Sequence, residues 1–158
     1  MSPPRLLVDA AGMDDLDALL ALEQLCYSHP WTARNFETEL ASPERGRVVA
    51  LRDPLLLQAA ERGIQAYCSF QVVVDELHIL NLTVAPALRR RGIGRWLLDL
   101  AQDLGRRRGA RQAFLEVRSG NQAALGLYRS AGFEYLNTRP AYYSRPREDA
   151  IVLHKTDP

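Results

Sequence analysis

The sequence predicts an α/β (α+β) fold in which a mixed, mostly antiparallel central sheet carries helices on both faces. Two consecutive β-rich runs, Ala66 to Val74 and Glu76 to Val84, meet at a tight Asp75-Glu76 junction, as in a hairpin. Leucine-spaced helical segments stand on either side of that hairpin. A further strand, Ala113 to Val117, follows a helix instead of a tight turn, so helices and strands belong to one α/β unit.

Each element has its own signal. From about Asp14 to Leu25, Leu16, Leu19, Leu20 and Leu22 recur at helical spacing. His29-Pro30 breaks the pattern, and Thr32 then reads as an N-cap with Trp31 and Phe36 placed for a hydrophobic staple. That second helix is expected to end near Ser42-Pro43. Val48 to Leu51 reads as a short strand, and Asp53 to Gly63 as an enlarged hairpin connection. Pro86 closes the Glu76–Val84 run, and an arginine-rich turn leads to a helix from about Gly92 to Arg108. Asn121 to Ala131 is helical, with Gly132 as its C-cap. Phe133 to Leu136 and Ile151 to His154 are closing strands. With no repeat or linker, residues 1–158 read as a single domain.

Composition narrows the function. The net charge of +1 provides no overall field for nucleic acid or an anionic membrane. No apolar stretch approaches the roughly 20 residues of a membrane span, and Met1 to Val8 lacks a signal-peptide core. Cys26, Cys68 and the three histidines show no metal-ligand spacing, so no metal is expected. The chain reads as cytoplasmic.

The sharpest local feature runs from Val84 through Pro86, Arg89, Arg90, Arg91, Gly92, Ile93 and Gly94 to Arg95, joining a strand to a helix. Glycines at 92 and 94 allow close backbone approach, and the first helical turn leaves N–H groups without intrahelical partners. Those donors and the positive helix end suit a pyrophosphate. A solvated basic turn would carry the same residues. The dinucleotide fingerprint lacks its third glycine here, and no G-K-[ST] follows to make a P-loop.

With Leu115-Glu116-Val117-Arg118, Asn121 to Tyr128 and Ala131-Gly132-Phe133 downstream, this segment resembles the acetyl-coenzyme A signature of the GNAT superfamily of N-acetyltransferases. Arg89, Gly92 and Gly94 match its [QR]-x-x-G-x-G core, and the order of elements agrees over nearly the whole chain. His29-Pro30-Trp31-Thr32, Val74 to Leu82, Leu115 to Arg118, and Tyr142-Tyr143 followed by Arg147 to Ala150 further resemble the RimI-type alanine N-acetyltransferases. These act on the N-terminus of the eighteenth small-subunit ribosomal protein. The longer Asp53–Gly63 segment and the residues Leu82 and Thr83 depart from that pattern.

The resemblance implies acetyl-coenzyme A as donor and the N-terminus of a ribosomal protein as acceptor. It implies a sheet splayed beside Val84, where main-chain groups of Leu82, Thr83 and Val84 hold the pantetheine arm like an added β-partner. Amides from Arg90 to Arg95 would hold the pyrophosphate, and Asn121 would hydrogen-bond the arm. Glu116 takes the position of the proton acceptor and Tyr128 that of the proton donor. Trp31, Tyr142 and Tyr143 are candidates for gripping the acceptor. Spacing alone favours an exposed Glu116 balanced by Arg118 and a packed Tyr128, and equally allows core aromatics at 31, 142 and 143.

The chemistry accords with an α-amine. An α-amino group with pKa near 8 is about a tenth neutral at pH 7, and a lysine amine near 10.4 about four parts in ten thousand. The difference is worth roughly 3.4 kcal/mol in favour of the terminal amine. A carboxylate can accept its proton, and a phenol can protonate the departing thiolate. Three other readings stay open at this level: a lysine or small-amine acceptor, a coenzyme-binding regulatory module, and nucleic-acid binding through the arginine clusters. Retention of both Glu116 and Tyr128 argues against the module. Near-neutral charge argues against nucleic acid.

Overall fold

The computed structural model describes residues 6–54 and 63–158. Most of the expected enlarged connection, residues 55–62, lies outside the described residues. Seven strands form one sheet: β1 (Leu7–Ala10), β2 (Gly46–Arg52), β3 (Ile64–Val73), β4 (Glu76–Val84), β5 (Gln112–Arg118), β6 (Glu134–Ser144) and β7 (Arg147–Thr156). Their order is β1-β2-β3-β4-β5-β7-β6, with β4–β5 the parallel pair and the others antiparallel. The helices are α1 (Leu16–Cys26), α2 (Ala33–Leu40), α3 (Ile93–Arg107) and α4 (Gln122–Ser130).

Period-two alternation divides the strand residues between two cores. Val48, Ala50, Ile64 and Tyr67 pack with Leu19, Leu22 and Phe36 of α1 and α2. Val49, Leu51, Ala66, Cys68, Phe70, Leu115 and Val117 pack with Leu97, Leu98, Ala101, Leu125 and Tyr128 of α3 and α4. The near-continuous apolar run of β2 therefore reflects burial on both faces. Gly105 lets α3 settle on β4: a Cβ there would stand 3.0 Å from a methyl carbon of Leu77.

The staple and cap at α2 form as the sequence predicts. Thr32 Oγ1 accepts from Asn35 N, and the Trp31 and Phe36 rings meet edge to face at 5.2 Å. Two sequence expectations are corrected, and one strand is added to them. β1 carries no strong signal, since all four residues are exposed and β2 alone holds it. The β3–β4 turn falls at Val74-Asp75, one residue early, with Val74 left-handed at φ 57. The closing strands are far longer than the apolar runs at 133–136 and 151–154. β6 is an edge strand that is mostly exposed, so pairing with β7 and not burial extends it. An edge also tolerates Pro140, which has no N–H to donate.

The feature that positions the site is a parting of strands. β4 and β5 pair only from Glu76–Ile79 to Gln112–Leu115. Ser69 opposes Asn81 and Phe70 opposes Ile79, so Leu80 is an extra residue where the parting begins. From there to Val84, β4 keeps β3 on one side and a gap on the other.

Candidate active site

The gap is bounded by the α3 N-terminus, the free edge of β4, the start of α4, and the C-terminal part of β5 with the β6–β7 hairpin. The turn entering α3 has two left-handed residues, Arg90 (φ 64) and Gly92 (φ 78), and Gly92 is the N-cap. The first helical hydrogen bond runs from Trp96 N to Gly92 O, 3.0 Å, so the amides of Ile93, Gly94 and Arg95 precede the helical ladder. A Cβ on Gly94 would meet Leu127 at 3.5 Å and Val84 at 3.7 Å, ordinary contacts. A Cβ on the N-cap Gly92 would meet nothing within 4 Å, so the backbone is open to close approach there, and a pyrophosphate suits its donors. The arginines divide. Arg90 and Arg91 are exposed, and Arg89 folds back so that Nε donates to Val84 O at 3.1 Å. Arg95 is turned toward α4, bonding Asp99 and Ser130 O, so its guanidinium lies away from the cradle and only its amide is placed there.

On the gap side of β4, Leu82 O accepts from the Tyr27 hydroxyl at 3.2 Å, and Val84 O also accepts from the Cys26 thiol at 3.7 Å. Thr83 points the other way and is buried beneath α1. Asn121 is the N-cap of α4: its Oδ1 accepts from Ala124 N at 3.1 Å, so one end of its side chain serves the helix. Two turns on, Tyr128 packs edge to face on Phe133 at 6.0 Å and is 8% exposed. No hydrogen bond engages its hydroxyl among the described residues. Burial pushes its pKa above the ordinary phenol value and keeps it protonated.

Glu116 alternates away from the buried Leu115 and Val117, so it faces the α1–α2 side of the sheet, opposite Tyr128. Arg139 Nη1 of β6 stands 2.9 Å from its carboxylate. The nearby Glu116 carboxylate raises the Tyr142 pKa above the ordinary phenol value. Arg118, the expected partner of Glu116, serves elsewhere. It pairs with Glu148 at 3.3 Å, donates to Arg145 O and Pro146 O, and lies 4.1 Å over the Tyr143 ring. Tyr143 is thus clamped beside Tyr142, with their centroids 5.2 Å apart. Trp31 stays partly buried on Phe36, which fixes its ring as a staple beside the same face.

Sequence reasoning left three residues around the gap out of the site. Arg139 and Tyr27 reach the site only through tertiary contacts. Glu23 reads as a solvated acid yet is 1% exposed and hydrogen-bonded to Tyr67, Asn81, Thr83 and Trp31 N. Its signal was present: with Leu19 and Leu22 it falls on the buried stripe of α1. Glu148 and Asp149 are likewise bonded, to Gly120 N at 2.6 Å and Ala141 N at 2.8 Å.

Comparisons with known proteins agree with this architecture. The profile of the Acetyltransferase (GNAT) family matches residues 16–133. The [Ribosomal protein bS18]-alanine N-acetyltransferase of Escherichia coli (strain K12) is 37% identical over 142 residues, covering 88% of this chain and 89% of that protein. The N-alpha-acetyltransferase RimI of Mycobacterium tuberculosis is 37% identical over 126 residues, covering 80% and 75%. A crystal structure of the ribosomal-protein-S18-alanine N-acetyltransferase from Escherichia coli superimposes with TM-score 0.83 at 32% identity, covering 96% of this chain and 93% of that one. With its parted strands and amide-lined helix start, the chain belongs to the acetyltransferase (GNAT) family and is an acetyl-coenzyme A-dependent N-acetyltransferase.

Proposed function

We infer that the chain is a cytoplasmic enzyme that transfers acetyl from acetyl-coenzyme A to the N-terminal alanine of ribosomal protein bS18, the acceptor in its relatives' names. One observation carries the assignment of roles. Glu116 and Tyr128 approach the strand parting from opposite faces of the sheet, beside the open amides of α3.

Amides from Arg90 to Arg95 hold the pyrophosphate, and the gap-facing edge of Leu82 to Val84 takes the pantetheine arm as an added β-partner, with Asn121 Nδ2 beside it. Tyr27 and Arg89 yield the carbonyls they now occupy. On the α1–α2 side, Trp31, Tyr142 and Tyr143 line the acceptor path. Glu116 accepts a proton from the α-amine, directly or through water, as the new C–N bond forms. Tyr128 donates its proton to sulfur as the C–S bond breaks. Arg139, a solvent-exposed partner, gives up Glu116 to the arriving amine at small cost.

Thiol release tests this with a bS18 N-terminal peptide, the same peptide blocked at its N-terminus, and a lysine-only control. Release with the free N-terminus alone, reduced about 100-fold or more in Glu116→Gln, is expected. Equal rates with the blocked peptide would withdraw the acceptor assignment.

A further inference from the structure

Glu23 is a buried carboxylate with no part in the chemistry above. Three side-chain donors converge on its Oε1: the Tyr67 hydroxyl of β3, Asn81 Nδ2 at 2.9 Å and Thr83 Oγ1 at 3.0 Å, both of β4. Trp31 N donates to its Oε2 at 2.8 Å. No cation pairs with it among the described residues, so hydrogen bonds alone offset its lost hydration. A leucine would fill the same space without that cost, but it could not gather donors from two strands and the α1–α2 connection.

The donors come from functional ground. Asn81 and Thr83 lie on the stretch of β4 past the extra residue, where the strand has lost β5. Thr83 Oγ1 is also 3.2 Å from the Tyr27 hydroxyl oxygen, whose proton goes to Leu82 O. Trp31 opens α2 on the sheet face that presents Glu116. One carboxylate thus ties the acceptor-side wall to the free edge of β4.

We propose that Glu23 is a positioning residue for the transfer, holding the α1–α2 connection at Trp31 in register with β4 so that the acceptor N-terminus is presented to Glu116. The proposal rests on the acceptor reading above. Glu23→Gln keeps the shape, but its NH2 group must oppose either Trp31 N or the donors around Asn81. Two measurements are made on the full chain: exchange of the Trp31 amide with solvent, and steady-state kinetics with the free-amine peptide.

Loss of a buried partner predicts about tenfold faster Trp31 exchange and an acceptor KM raised about tenfold. The kcat and the coenzyme KM should stay within about threefold, a split that a smaller folded fraction would not produce. Unchanged exchange and acceptor KM, or a fall in kcat alone, overturns the proposal. Should Glu23→Gln fail to fold, Tyr67→Phe keeps the ring and removes one donor. A rise of about threefold in acceptor KM is then expected, and no change overturns the proposal. Wild-type protein that acetylates no free-amine peptide defeats the acceptor reading. The Trp31 exchange rate still decides whether Glu23 anchors that wall, and an unchanged rate overturns the anchor.

Discussion

Tyr128→Phe separates chemistry from stability. The substitution removes one oxygen and leaves the ring against Phe133 and the α3–α4 core. That hydroxyl makes no hydrogen bond among the described residues, so its loss orphans no partner and relieves a partly desolvated polar group. Stability should change by less than about 0.5 kcal/mol, or rise. Activity should respond very differently. Loss of a general acid costs about 100-fold at the low end of the usual range, or about 2.7 kcal/mol of transition-state stabilisation. Thiol release at saturating donor gives kcat, calorimetry gives coenzyme affinity, and thermal denaturation gives Tm. Because burial raises the Tyr128 pKa, the phenol stays protonated well past pH 10, and wild-type activity should show no alkaline decline from this residue below that pH. A variant that keeps activity within about threefold would refute the donor role. A Tm lower by many degrees would refute the claim that the hydroxyl is structurally idle.

Three further outcomes follow from the geometry. Gly92→Ala places a Cβ in open space but on a left-handed residue, so the turn distorts at a cost of about 1–2 kcal/mol. Coenzyme Kd, read by calorimetry, should rise several-fold while kcat at saturation is kept. Asp15→Asn breaks a bidentate pair with Arg52 at 2.8 and 2.9 Å, in which both side chains are under a tenth exposed. Urea denaturation should show a loss of about 3 kcal/mol. Burial raises the Cys68 thiol to about 12, so above pH 9 the unfolded chain loses a proton that the folded one keeps. Stability should therefore fall as pH rises from about 9 toward 12, and Cys68→Ala should flatten that slope in denaturation series.

Much of the frame was legible because its signals are local. The Thr32 cap and the Trp31–Phe36 staple lie within five residues, and Gly92 and Gly132 mark helix boundaries through their own left-handed backbone (φ 78 and 91). The leucine stripes of α1 and α3 record burial through helical period. Family resemblance, and not spacing, drew Glu116 and Tyr128 out of an ordinary strand and helix.

Other features depend on residues that only folding brings together. The parting of β4 from β5 beside Val84 is expected from the family resemblance, but the extra residue against β3 that begins it is announced by no residue type. The lengths of β6 and β7 come from their mutual hydrogen bonds, since β6 is an edge strand with almost no buried side chains. Arg139 reaches Glu116 across 23 positions, and Glu23 reaches Asn81 across 58. The sequence by itself determined the helices and the central strands, because backbone preference and periodicity act over a few residues. The tertiary structure alone decided which carboxylate stays half-exposed beside Arg139 and which is locked in the core, because burial and hydrogen-bond partners are set by neighbours distant in the chain.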